Sequence, residues 1–414
     1  MKKMFYILFL APCLFLFGCD NGRSGSFYDE YTNDIVTDNS SEVSDEDVHK
    51  SERPDEAPRP GGASGNENGN PSGSSGNNND DSEDHDDSDE DIESYVIIND
   101  NEEKDDSEGG NNEIPDENFN GDDTNDDEEL YYLWPEIESC TSGIPSDSEK
   151  QKVLNRINYI RSIHGLPQVV YDTEGDEITA ECSLIIAANN IEGSPLQLSH
   201  EPPKSWDCWS QQAYEGCHSS NIHVGWAQNT DLSSVDSAEI VDGFMIDKDV
   251  DSVGHRRWFL DPWLGHISFG RADYTDGNGI FVLGSAVKVI HDDKPDVSDL
   301  EIDFIAYPFE SYPKKLYPGS FTRMSFTVLK DKINKFGNAS SMNLASATIA
   351  IIDSTNNKTI SVSGLKYDTD GIGVPNNISW LAEGIEYNKK YNVTVSNIMV
   401  NNVSTLYQYW FELK

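Results

Sequence analysis

Basic residues are scarce in this 414-residue chain: 29 Lys and Arg stand against 75 Asp and Glu, a formal charge of −46. That balance repels phosphate and excludes nucleic acid as a partner. Long apolar runs are scarce too. The run from Met4 to Phe17 follows Lys2 and Lys3. It is too short for a permanent membrane helix and has the length of a signal-peptide core. Cysteine is sparse, with six residues and no Cys-x-x-Cys spacing, which argues against a cysteine zinc site. The acidic stretches lack a spaced calcium loop with its turn glycine and terminal Glu.

What is present divides the chain sharply. Leu16-Phe17-Gly18-Cys19 resembles a bacterial lipobox. It implies a signal peptide over 1–19, cleavage before Cys19 and lipidation of that thiol, hence a lipid-anchored, extracytoplasmic protein of the bacterial cell envelope. From Asp20 to Leu130 there are 38 acids and 5 bases, and few apolar residues. Such a segment cannot bury enough surface to offset its chain entropy, so 20–130 is expected to be a disordered acidic linker. Its like charges extend it into a stalk. Beyond the leader, Cys140, Cys182, Cys208 and Cys217 remain, and an exported compartment permits disulfides. The short separation makes Cys208–Cys217 the local pair and leaves Cys140 for Cys182.

Order is expected to begin where aromatics replace acids, in "LYYLWPEIESC" (130–140). A helix follows, capped by Ser146 or Ser148, with Val153, Ile157 and Ile160 at i, i+4 and i+7 and a stop at Gly165 and Pro167. A second helix is predicted over 176–191 and a third over 237–247. Strands are predicted over 256–260, 266–272 and 279–290. Helices first and strands after argue an α+β domain over 131–291 rather than a doubly wound one. From 292 the pattern changes to seven short strands in about 115 residues with no helical period, which suggests an all-β, immunoglobulin-like sandwich over 292–414. The antibody Cys…Trp…Cys spacing is missing, so the expectation is one of architecture.

Five segments carry a resemblance: "LNRINYIRSIHGLPQVVYD" (154–172), "LSHEPP" (198–203), "SSNIHVG" (219–225), "IVDGFMID" (240–247) and "GHRRWFLDP" (254–262). In this order they resemble the CAP superfamily of cysteine-rich secretory proteins, antigen 5 and pathogenesis-related 1 proteins, and specifically its bacterial, SCP-like branch. The resemblance implies an α-β-α sandwich and a cleft tetrad of two histidines and two acids. His200 and His255 match the histidines. Asp247 matches one acid. The other acid precedes an Asn in the family, and here that place is Ser220.

The departure shapes the chemistry. His200, His255 and Asp247 could still hold a divalent ion such as zinc, three ligands and a water being the pattern of a catalytic site. Serine is a poor ligand, so affinity falls, unless Glu215 or His218 compensates. Ser220 with a histidine has the residue types of a Ser-His-Asp hydrolase, but no nucleophile elbow flanks it. His164 reads as a helix-end histidine, and His223 and His266 as surface or edge residues. Arg256 and Arg257 are expected to pair with Asp247, Asp249 or Asp251. Trp258, Phe259, Leu260 and Trp263 read as core. The resemblance implies extracellular binding to a protein, lipid or glycan. The first reading is therefore a membrane-anchored interaction module whose histidine cleft takes a metal or a small ligand. A metal-assisted hydrolase of peptide or cell-wall material and an adhesive display protein are the alternatives.

Overall fold

The computed structural model describes residues 129–193 and 196–414, together with the backbone of Phe15–Phe17. The leader cleavage point, Cys19 and the acidic linker up to 128 lie outside the described residues.

The first layered region begins with β1 (Phe15–Phe17) and a small ribbon of β2 (Tyr131–Leu133) and β3 (Ile144–Pro145). Helix α1 (Asp147–Ile163) starts at Ser146, whose Oγ accepts the Glu149 amide, so the first of the two expected caps is the one used. Strand β4 (Val170–Tyr171) leads to α2 (Asp176–Ala188), α3 (Gln211–His218) and β5 (Ser220–Gln228). Helices α4 (Ser237–Ile246) and α5 (Gly254–Phe259) precede the hairpin of β6 (His266–Thr275) and β7 (Ile280–Lys288). The sheet order is β1-β5-β7-β6-β4. Its two faces bury different partners. Phe269, Leu283 and Val287 join α1 and α4 in one core. Ile222, Val224, Val282 and Ala286 face α2 and α3 in the other. Alternation along β7, Val282 and Ala286 to one side and Leu283 and Val287 to the other, is what sandwiches the sheet between helices. Helix α2 lies almost against the strands: a Cβ on Gly270 would sit 2.1 Å from the Thr179 carbonyl oxygen, and one on Gly284 2.2 Å from that of Ser183.

The second region is β-rich. Its strands are β8 (Phe304–Tyr307), β9 (Glu310–Tyr312), β10 (Met324–Val328), β11 (Met342–Asn343), β12 (Thr348–Asp353), β13 (Thr359–Asp368), β14 (Asn377–Glu383), β15 (Lys390–Val400) and β16 (Val403–Leu413), with a short α6 (Gly337–Ser340) between β10 and β11. All seven expected strands are present. Their hydrogen bonds follow one curled path, β8-β10-β14-β13-β12-β15-β16-β9. Its far ends meet again: Phe304 and Phe326 pack their rings on Tyr407 and Tyr409 at centroid distances of 5.3–6.1 Å. The curl therefore gives the sandwich-like core that a single flat sheet could not close.

Three sequence expectations are corrected. Residues 256–260 are not a strand; they lie in α5 and its end. Arg256 and Arg257 do not pair their side chains with Asp247, Asp249 or Asp251. The Arg256 guanidinium, fully buried, donates to the carbonyls of Met245 and Ile246 and across to Arg323 O at 2.8 Å, and stacks on the Tyr307 ring at 3.6 Å. Arg257 pairs with Asp368 at 2.9 Å. Finally, the bridges are Cys140–Cys208 and Cys182–Cys217. Helix α3 begins between Cys208 and Cys217, and its rise carries them roughly 10 Å apart, beyond disulfide reach. It presents Cys217 to Cys182 on α2 instead.

Candidate functional site

Helix α4 ends at Asp247, which takes the left-handed conformation (φ 53°, ψ 48°) that an Asp tolerates. The chain turns and re-enters a helix through Val253, also left-handed (φ 48°, ψ 41°) and fully buried. For a β-branched residue this is strained, a cost of about 1–3 kcal/mol that the surroundings must offset. The strained turn aims α5 back at α4, and so His255 at Asp247. His255 Nδ1 lies 2.8 Å from Asp247 Oδ1, and Asp247 Oδ2 accepts the Arg256 amide at 3.3 Å. Both residues are buried. Asp247 thus serves as the positioning group for the imidazole, with both oxygens engaged. Asn221 on β5 donates its side-chain amide to the His255 carbonyl at 3.0 Å, which fixes the other side of the same turn.

His200 is oriented differently. Its Nδ1 lies 2.9 Å from the Cys217 carbonyl, which can only accept, so that nitrogen carries the proton. Burial lowers its pKa to about 4, against the Cys217 hydrogen bond, with His255 and His218 adding to the lowering. The Cys182–Cys217 bridge anchors the carbonyl that holds it. His200 and His255 therefore belong to one electrostatic cluster, and each has its Nδ1 committed to the scaffold. Nε2 is the atom with which either would meet a ligand.

The cluster contains a residue that the sequence reading places at the surface. His223 on β5 is buried, and its pKa is pushed down to about 4, first by burial and then by His255 and Arg271. The Phe244 ring lies between the two, 6.2 Å from His223 and 5.1 Å from His255. The signal was available: β5 is covered on both faces, so in "SNIHV" the residues flanking Ile222 and Val224 are buried as well.

Ser220 is buried, and its Oγ has no hydrogen-bond partner. No Ser–His hydrogen bond exists to activate it, which removes the geometric basis of a Ser-His-Asp hydrolase. Glu215 does not replace the missing acid; it is exposed on α3, and its carboxylate accepts Gln211 Nε2 at 3.0 Å. His218 stacks on Tyr214 at 5.8 Å. The donor set does not fit a three-ligand ion. Asp247 is consumed by His255 and the Arg256 amide. Among the described residues, His200, Asp247 and His255 do not form a group with ligand atoms within 4.8 Å of one another.

Residues 154–284 match the model of the CAP family, described as the cysteine-rich secretory protein family. The chain carries a CAP domain. No curated protein matches the chain. The matched stretch runs from α1 to β7 and so takes in His200, Ser220, Asp247 and His255. Two disulfides accompany the CAP domain, the mark of an extracellular protein. Among the described residues no helix is long and apolar enough to cross a membrane.

Proposed function

We propose that this protein is an extracytoplasmic interaction module, held to the cell envelope through Cys19 and lifted from it by its acidic linker. Its CAP cleft binds a small polar ligand or an extended partner without turning it over. The observation that carries this reading is the use of Asp247. A carboxylate that acts directly on substrate, water or metal needs an open oxygen, and here one faces His255 and the other accepts the Arg256 amide. With Ser220 in the second acid position, the site offers imidazoles and a hydroxyl: hydrogen-bonding groups, and no general base beyond the histidines themselves.

The test compares the full chain with a His200→Ala/His255→Ala variant. Both are offered peptide, ester and cell-wall glycan substrates, and both are assayed for binding to isolated envelope material. Wild type is expected to bind the envelope more tightly than the variant and to hydrolyse nothing above the variant's background. Turnover that falls more than about a hundredfold in the variant establishes the hydrolase reading instead. The tether has its own arm: Cys19→Ala should move the protein from the membrane fraction to the soluble one, and unchanged partitioning refutes the lipid anchor.

A further inference from the structure

Where the CAP sheet hands the chain on to the β-rich region, three segments converge. Strand β4 runs parallel to β6 with Val170 opposite His266, so Asp172 emerges beside the start of β6. Strand β7 runs antiparallel to β6 with Lys288 opposite Ser268, so the chain leaving β7 returns past His266 and delivers His291 and Asp293. His266 Nδ1 lies 3.1 Å from Asp293 Oδ2, and the two imidazole rings are 5.8 Å apart. His266, His291 and Asp293 each present a ligand atom, all within 4.8 Å of one another.

The His291 side chain is only 7% exposed, and its Nδ1 faces Asp172 Oδ2 at 3.9 Å. Its Nε2 is buried with no hydrogen-bond partner. The 3.1 Å contact accounts for His266 and Asp293 but leaves that nitrogen unsatisfied, an arrangement that folded proteins avoid. A carboxylate facing one ring nitrogen while the other is unbonded is the pattern of a metal-bound histidine. We propose that His266, His291 and Asp293 form a three-ligand site for a borderline divalent cation of the zinc kind, with Asp172 orienting His291. Imidazole and carboxylate suit such an ion. Ligand atoms around tetrahedral zinc stand roughly 3.3 Å apart, so the set must tighten, and Asp293, 70% exposed, is the group able to move. His266 is 34% exposed, which leaves the fourth position open to water. Lys288 acts on His291 against a cation, while Asp172 and Asp293 act in its favour. The ligands come from the CAP sheet and from the connector together, so the ion would clip the connector to the sheet where Pro295 already packs on Gly265. The site shares no residue with the cleft.

The experiment is zinc titration of the chelator-stripped full chain by calorimetry, in excess calcium to occupy the carboxylate-rich linker. One tight ion per chain is expected in wild type and in His200→Ala/His255→Ala. His291→Ala should lose it, and Asp293→Asn, a surface change that leaves folding intact, should bind at least tenfold more weakly. Asp172→Asn should weaken it about tenfold. Zinc should also raise the melting temperature of wild type more than that of Asp293→Asn at the same concentration. Equal affinity in wild type and Asp293→Asn, or a tight ion lost only with the cleft histidines, overturns the proposal.

Discussion

At the scale of single residues, the histidines make this protein sensitive to acid. His164 closes α1, lies buried with Nε2 3.2 Å from the Tyr312 hydroxyl, and has its pKa driven to about 3 by burial, with Arg256 adding to the effect. His223 is held at about 4 for the reasons given above. Unfolded, both titrate near 6.5. Between those values the unfolded chain binds protons that the folded chain refuses. Stability is therefore intact above about pH 6.5 and falls as the pH drops toward 4, by up to about 1.4 kcal/mol per pH unit for each group. His223→Leu should flatten the fall by about that amount per pH unit between pH 6 and 5. Urea unfolding at pH 7, 6 and 5 measures it, and an unchanged pH slope in the variant removes His223 from the account. One pairing among the candidate residues is seen directly: His255 meets Asp247, while His200 is held separately on the Cys217 carbonyl. That arrangement was not legible from sequence, because what each oxygen of Asp247 meets depends on a backbone turn through two left-handed residues, 247 and 253.

Secondary-structure elements show where periodicity carries and where it fails. Helix α1 and strands such as β12, β15 and β16 were readable because one face of each is wet and the pattern alternates at 3.6 or 2 residues. Helix α5 was not. His255, Arg256, Arg257 and Phe259 are all buried, so no exposed face marks a period, and "RRWFL" imitates a strand. The disulfides failed for a related reason: the eight-residue α3 was missed, and without it Cys208 and Cys217 look adjacent. With it, the decisive contact is between helices. A Cβ on Gly216 would lie 1.9 Å from the Ile178 carbonyl oxygen and 3.1 Å from Cys182 Cβ. Gly216→Ala must push α3 off α2, at an expected cost of about 1–3 kcal/mol and with strain on the neighbouring Cys182–Cys217 bridge. A chemical denaturation midpoint unchanged by the substitution would mean that the two helices do not pack this closely.

Across the whole molecule, the segment "GHRRWFLDP" divides its side chains between two tasks. His255 turns to Asp247 and the Phe244 ring of the CAP domain. Arg256, Arg257 and Asp261 turn to the β-rich region: Arg256 to Arg323 O and Ser325 Oγ, Arg257 to Asp368, and Asp261 to Lys335 at 2.5 Å, both partners buried. The apolar core is likewise continuous, from Val153 on α1 through Phe269 to Trp380 on β14. A junction made of buried charge and shared core should unfold as one unit, since neither half can leave without exposing unpaired groups of the other. Calorimetry of the full chain should accordingly show a single transition for the two described regions. Arg256→Ala removes a fully buried guanidinium, leaves the carbonyls of Met245, Ile246 and Arg323 without that donor, and opens a cavity beside Tyr307. The expected loss is about 3–5 kcal/mol, with the transition broadening or splitting as the halves separate. Arg257→Ala should cost less, because its partner Asp368 retains 22% exposure and can be rehydrated. If Arg256→Ala melts at the wild-type temperature in one sharp transition, the arginine does not couple the two regions. The same experiment reads the cleft, since α5 carries both tasks. A variant that loosens the junction should also weaken envelope binding, although Arg256 is buried and its side chain points away from any ligand the histidines could meet.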